Sequence, residues 1–169
     1  VAIAAERPPP PTGPWWIQLT DARLALARLA CTIHDHPSHT LAVYGVTGTN
    51  GKTTVAGLLR DVLQAAGRKT GLISTVEYSY GDRIIAASRT TPDSCELQGL
   101  LGAMRNDGCQ AAVMEVSSHA LDQHRTGDIR FAAAAFTNLT RDHFDYHHDF
   151  ETYFRAKCRL FEQLAALNP

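Results

Sequence analysis

The stretch LAVYGVTGTNGKTT (residues 41–54) limits this chain more than any other. LAVYGVT is a nearly continuous apolar run, the pattern of a parallel strand buried on both faces. Three glycines, Gly45, Gly48 and Gly51, fall in or just after it, and a helix is predicted over Lys52 to Ala66, stopped by Gly67. A buried strand that turns through glycines into a helix makes a phosphate cradle. The loop can close on phosphate oxygens while its N–H groups and the helix N-terminus supply positive potential. Lys52 can reach the β- and γ-phosphates, and the Thr53 hydroxyl can ligate Mg²⁺. The generic spacing asks for glycine at position 46, where this chain has Val46.

The rest of the chain alternates in the same way. KTGLISTVEYSY and RIIAAS, separated by Gly81 and Asp82, predict a strand and a hairpin. TTPD (90–93) leads into a helix ending near Asn106, QAAVMEV (110–116) predicts a second buried strand, and FAAAAFTN (131–138) a third. Upstream, RPPPPTGP (7–14) predicts a stiff, extended connector, WWIQL (15–19) a short strand, and Thr20 a cap for a helix over DARLALARLA. HDHPSH (34–39) reads as a solvated polar turn rather than a metal site. Strand and helix in turn imply an α/β fold with a mostly parallel sheet and helices on both faces. With 169 residues the chain can build one real core.

In such sheets ligands gather beyond the carboxyl ends of the strands. The three predicted strands deliver GTNGKTT, then Glu115 followed by SSH, then Asn138 followed by TRDHFDYHH. An acid at the end of an apolar strand beside a phosphate loop suits magnesium, which takes oxygen ligands and bridges to phosphates. Asp142, His143, Asp145, His147 and His148 are mostly expected to be hydrogen-bonded loop residues, one or two of which could complete a metal site.

FETYFRAKCRLFEQL (150–164) adds a puzzle. On a helical wheel Phe150, Phe154, Phe161 and Leu164 share a stripe, and Lys157 falls in the middle of it. Such a lysine either snorkels to water or is buried with a depressed pKa.

These segments resemble the Mur ligases. The resemblance rests on GVTGTNGKTT (45–54), TTPD (90–93), MEVSSHAL (114–121), QHR (123–125), FTNLTRDHFDYH (136–147) and the AK (156–157) before LF (160–161). It is nearest to the branch that adds the third residue of the peptidoglycan stem peptide. It implies that Gly48, Thr49, Asn50, Gly51, Lys52, Thr53 and Thr54 hold ATP. It further implies that Thr53, Glu115, His143 and Lys157, the last carbamylated, serve Mg²⁺, and that Thr90, Thr91, Ser117, Gln123 and Arg125 contact a UDP-MurNAc-dipeptide. Lys52, Glu115, His143 and Lys157 would be the catalytic set, in an ATP-dependent ligation through an acyl phosphate. Residues 1–40 would close a preceding UDP-binding domain and linker, and 41–169 would be part of the central ATP-binding domain, with a C-terminal domain absent. The chain, which begins at Val1, is thus expected to be a piece of a longer protein without ligase activity of its own. The alternatives are a P-loop kinase and a nucleotide-binding module without catalysis.

A net charge of −1 gives no broad basic footprint for nucleic acid, no apolar run approaches the roughly 20 residues that span a bilayer, and no signal peptide is expected. Four scattered cysteines, Cys31, Cys95, Cys109 and Cys158, suit a reducing cytoplasm.

Overall fold

A computed structural model describes residues 2–9 and 12–167. Pro10 and Pro11 of the expected connector, and Val1, Asn168 and Pro169, lie outside the described residues. Two short strands, β1 (Ala2–Ala5) and β2 (Trp15–Gln18), pair in parallel and precede helix α1 (Ala22–Ile33). Asp21, not Thr20, caps α1: its backbone is extended and its carboxylate accepts the Leu24 N–H at 2.8 Å. After a 3₁₀ turn at Pro37–His39 come β3 (Ala42–Thr47), α2 (Lys52–Ala65) and β4 (Thr70–Ile73). The hairpin β5 (Glu77–Tyr80) and β6 (Arg83–Ala86) follows, then α3 (Ser94–Asn106), β7 (Ala111–Glu115), α4 (Ser118–Asp122), β8 (Phe131–Phe136), α5 (Phe144–His147) and α6 (Phe150–Leu167).

The six-stranded sheet runs in the order β6-β5-β4-β7-β3-β8. β4, β7, β3 and β8 are parallel and the hairpin adds two antiparallel strands at one edge. Side chains alternate across the parallel strands, so β3, β4 and β7 each serve two cores. Val43, Ile73, Ala112, Met114 and Phe131 face Leu97, Leu101 and Met104 of α3 and Leu160 of α6. Val46, Leu72 and Val113 face Ala56, Leu59 and Leu63 of α2. α1 lies against α3 with Ala27, Ala30 and Cys31 buried. Position 46 therefore still belongs to the buried strand, which is why valine stands where a longer phosphate loop would need glycine. Gly45 is needed one step earlier: a Cβ there would stand 2.9 Å from the Phe131 ring and 3.2 Å from Leu160.

Two expectations change. Among the described residues β8 pairs only with β3, and Ala132, Ala133 and Ala135 are exposed rather than buried. On α6 the buried face is Tyr153, Ala156, Lys157 and Leu160, whereas Phe150 and Phe154 are 48% and 40% exposed. The helix is rolled toward the phosphate loop because Tyr153 and Lys157 find polar partners there. Phe154 and Phe161 instead pack on Phe136, with ring centroids 6.4 and 6.2 Å away. Lys157 itself is buried, as one of the two readings required.

Candidate nucleotide and ligation site

The C-terminal ends of β3, β4, β7 and β8 share one edge, and the loops beyond them interlock. Beyond β3, Gly48 has φ 142° and Gly51 has φ 81°, a left-handed backbone that favours glycine. A side chain at Gly48 would also collide with the Thr137 hydroxyl. Gly51 caps α2 and offers no side chain to its first turn. The amide hydrogens of that turn therefore face outward without helical partners, as anion binding requires. Asn138, just past β8, fastens the loop. Its carbonyl accepts the Thr49 N–H at 2.9 Å, its side-chain oxygen accepts the Asn50 N–H at 3.0 Å, and its amide donates to the Asn50 carbonyl at 3.0 Å. Thr137 donates to the same carbonyl at 2.7 Å. The Thr49 side chain points inward: its hydroxyl lies 3.0 Å from that of Tyr153 and accepts the Thr140 N–H at 3.0 Å. Thr53 and Thr54 are exposed on the first turn of α2.

Two lysines meet inside this loop. Lys52 is half-buried at the start of α2 and donates to the Gly48 carbonyl at 3.0 Å and the Thr49 carbonyl at 2.8 Å. Lys157, reaching in from α6, donates to the same Gly48 oxygen at 2.8 Å and lies 4.5 Å from the centroid of the Tyr153 ring. Burial, and then the neighbouring charge of Lys52, bring the Lys157 pKa down to about 7, with Asp142 opposing. Burial also lowers the pKa of Lys52, against the pull of Glu115 and Asp142.

Glu115 ends β7 almost fully buried, at 1% exposure. Thr75 donates to it twice, from its N–H to Oε1 at 2.8 Å and from its hydroxyl to Oε2 at 3.2 Å. Among the described residues no cation lies in ion-pair contact with Glu115. From Glu115 a hydrogen-bonded network runs through the residues expected to hold a substrate. The Thr75 hydroxyl is 3.1 Å from that of Thr90, and the Thr91 hydroxyl donates to the Glu115 carbonyl at 2.9 Å and accepts the Ser117 N–H at 3.0 Å. Ser117 caps α4 through the Ala120 N–H. Arg125 donates to the Thr91 carbonyl at 2.9 Å and grips the Gln123 side-chain oxygen through Nε and Nη2 at 3.1 and 2.7 Å. Burial first, then the charge of Arg89, lower the Arg125 pKa, against the opposing pull of Asp93 and Tyr146.

The histidines form a separate cluster at the rim. His143, with a left-handed φ of 55°, is exposed and sits 3.6 Å from Asp142; its ring centroid is 4.9 Å from that of His119 and 6.1 Å from that of Tyr153. His147 is buried, with Nε2 2.9 Å from the Ser118 hydroxyl. Burial lowers the pKa of both His119 and His147.

A divalent cation fits the chemistry of this edge. A buried carboxylate in no ion-pair contact among the described residues stands beside a phosphate loop, within reach of the charge of Lys52, and the Thr53 hydroxyl and His143 imidazole are further possible donors. Among the described residues no three His, Cys, Asp or Glu side chains gather where one ion could bind them all. A metal here would therefore need oxygen donors other than these side chains as well, such as the Thr53 hydroxyl and phosphate oxygens. Thr137 and Thr140 lie within the FTNLTRDHFDYH segment without a role of their own being legible there, and Thr75 and Tyr153 carry no sequence signal beyond standing near a strand end or one helical turn from Lys157.

Residues 46–168 match the family model described as the Mur ligase middle domain. A UDP-N-acetylmuramoyl-L-alanyl-D-glutamate--2,6-diaminopimelate ligase from Geobacter sulfurreducens is 47% identical over 156 residues, which are 92% of this chain and 31% of that protein. Its counterpart from Geobacter metallireducens is 46% identical over 167 residues, 98% of this chain and 33% of that protein. A solved structure of a ligase with the same substrate name superimposes with a TM-score of 0.75 at 28% identity, covering 86% of this chain and 30% of that one. The chain thus spans about a third of the length of the curated relatives it matches. Among the described residues no helix is long and apolar enough to cross a membrane.

Proposed function

The chain belongs to the Mur ligase family through its middle domain, and on that premise we propose that it forms the nucleotide-binding part of a longer ligase that uses ATP to join an amino acid to UDP-MurNAc-L-Ala-D-Glu in peptidoglycan precursor synthesis. The observation that carries this reading is the position of Glu115. It stands between a phosphate loop on one side and the Thr90–Thr91–Ser117–Gln123–Arg125 network on the other, where a phosphoryl donor and a carboxylate acceptor would have to meet. In this reading residues 1–40 close a preceding domain and its linker, and the reaction is cytoplasmic.

The first-turn N–H groups of α2 and the Lys52 ammonium would hold the β- and γ-phosphates. Arg125, oriented by Gln123 and Thr91, would hold an anionic group of the UDP-linked substrate. An oxygen of the substrate carboxylate attacks the γ-phosphorus and ADP leaves, giving an acyl phosphate. The amine of the incoming amino acid then attacks the acyl carbon, and inorganic phosphate departs from the tetrahedral adduct. Lys52 would offset negative charge while the phosphoryl group moves. Thr53, Glu115, His143 and carbamylated Lys157 would hold Mg²⁺, which supplies charge neutralisation at the phosphates.

The test is phosphate release by the intact ligase. Turnover is expected only when ATP, the UDP-linked dipeptide and an amino acid are all present, with 2,6-diaminopimelate the first amine to try because the relatives carry it in their names. ADP formation with one acceptor and no amide would indicate a kinase, and no turnover a binding module. In the same assay Arg125→Ala should raise KM for the UDP-linked substrate roughly 10- to 150-fold, the worth of a charge-assisted contact of about 1.5–3 kcal/mol, and leave KM for ATP little changed. An unchanged substrate KM would return Arg125 to an ordinary surface cation.

A further inference from the structure

Thr75 belongs to no recognised motif, yet it makes two hydrogen bonds to the most buried acid of the site. Its place follows from the sheet. Ile73 of β4 is opposite Met114 of β7, so the chain leaving β4 runs alongside Glu115. A tight turn then fixes it. The Ser74 N–H donates to the Glu77 carbonyl at 2.9 Å, and the Ser74 hydroxyl oxygen accepts the N–H groups of Val76 and Glu77 at 3.2 and 3.1 Å. Thr75 is held at the crest of that turn with its N–H on Glu115 Oε1 and its hydroxyl at Oε2.

The hydroxyl stands between two acceptors, Glu115 Oε2 at 3.2 Å and Thr90 Oγ1 at 3.1 Å, and has one proton to give. The ionised carboxylate is the stronger acceptor. With the proton directed there, the Thr75 oxygen is free to accept from the Thr90 hydroxyl. An ionised carboxylate offers about four lone-pair sites. Thr75 takes one on each oxygen, which leaves the others for a cation and stops the carboxylate turning about its last bond.

We propose that Thr75 is a positioning residue: it locks the Glu115 carboxylate in the orientation that receives the divalent cation accompanying ATP, and ties that orientation to the substrate-side hydroxyl of Thr90. The proposal rests on the reading that Glu115 serves the cation. Residues that orient a metal ligand commonly govern affinity for the metal by 10- to 100-fold.

The experiment is calorimetry of ATP binding to the intact ligase, with Mg²⁺ and with chelator, on the wild type, Thr75→Val, Thr75→Ser and Glu115→Gln. Valine keeps the shape and removes the hydroxyl; serine keeps the hydroxyl. Thr75→Val should lose about 10-fold of the affinity that Mg²⁺ adds, with binding in chelator unchanged. Thr75→Ser should keep the Mg²⁺ effect, and Thr75→Val in the Glu115→Gln background should cost nothing further. Thr75→Ala gives the same test should valine disturb the turn. If Glu115→Gln loses the Mg²⁺ effect while Thr75→Val retains it, or if valine and serine lose it equally, the role of Thr75 is overturned and that of Glu115 stands. If Glu115→Gln retains the Mg²⁺ effect, both fall together.

Discussion

Lys157→Ala in the intact ligase is expected to lower turnover by about 100-fold or more, as loss of a group that holds the metal would, and to recover part of it when short carboxylic acids are added. The reasoning starts from burial. Lys157 is 1% exposed, and it shares the Gly48 carbonyl oxygen with Lys52. Two ammonium groups on one oxygen repel each other. Burial and that repulsion bring the pKa to about 7, against a usual value near 10.5. A protonated amine cannot add CO₂, whereas a neutral one can, forming an N–C bond and losing a proton. The neutral fraction rises as pH rises through 7, so carbamate formation on Lys157 is open near neutrality where an ordinary lysine would be almost wholly protonated. The product is an anion with two oxygens on a long stem, suited to Mg²⁺ and to the charge of Lys52 beside it. An added carboxylate can fill the same space in the alanine variant. Full activity of Lys157→Ala in CO₂-depleted buffer without added acids would reduce Lys157 to a packing residue.

Lys52→Ala should weaken ATP binding by about 100-fold or more, because the ammonium is expected to contact two phosphates and each charge-assisted contact is worth about 1.5–3 kcal/mol. The fold should persist, since among the described residues the Lys52 ammonium donates to just the Gly48 and Thr49 loop carbonyls. Removing it also removes the like charge beside Lys157, so the Lys157 pKa should move up from about 7. Calorimetry with ATP and Mg²⁺ measures the first effect and NMR titration of the labelled lysine the second. Equal ATP affinity in the two proteins would end the assignment of the phosphate loop.

What could be read from the residues alone was whatever depends on apolar period and glycine. The β3–loop–α2 unit, Glu115 at the end of β7 and the place of Lys157 on an apolar stripe all carry such signals, but the stripe alone does not decide between a snorkelling and a buried lysine. The face that α6 buries does not, because a helical wheel weighs Phe150 and Phe154 by hydrophobicity. It has no knowledge that Tyr153 would reach Thr49, or that Lys157 would reach Gly48. A run of alanines such as that of β8 looks the same at the edge of a sheet as at its centre, so its place in the strand order carries no signal. Thr75 was invisible for another reason. Its role depends on the parallel register that sets β4 beside β7, a contact between residues 40 positions apart. Asn138 lies between these cases. Its place after a strand was legible, but not that it would fasten the phosphate loop three times over.

In the proposed ligation a carboxylate oxygen of the UDP-linked dipeptide attacks the γ-phosphate of ATP across the gap between the α2 loop and the Arg125 network. Labelling both oxygens of each D-glutamate carboxylate of the dipeptide with ¹⁸O reads this step. If an acyl phosphate forms, the bridging oxygen departs with the phosphate, and mass spectrometry of the inorganic phosphate released with each amide bond should find one ¹⁸O per molecule. Phosphate free of label, alongside an amide product, would contradict the account.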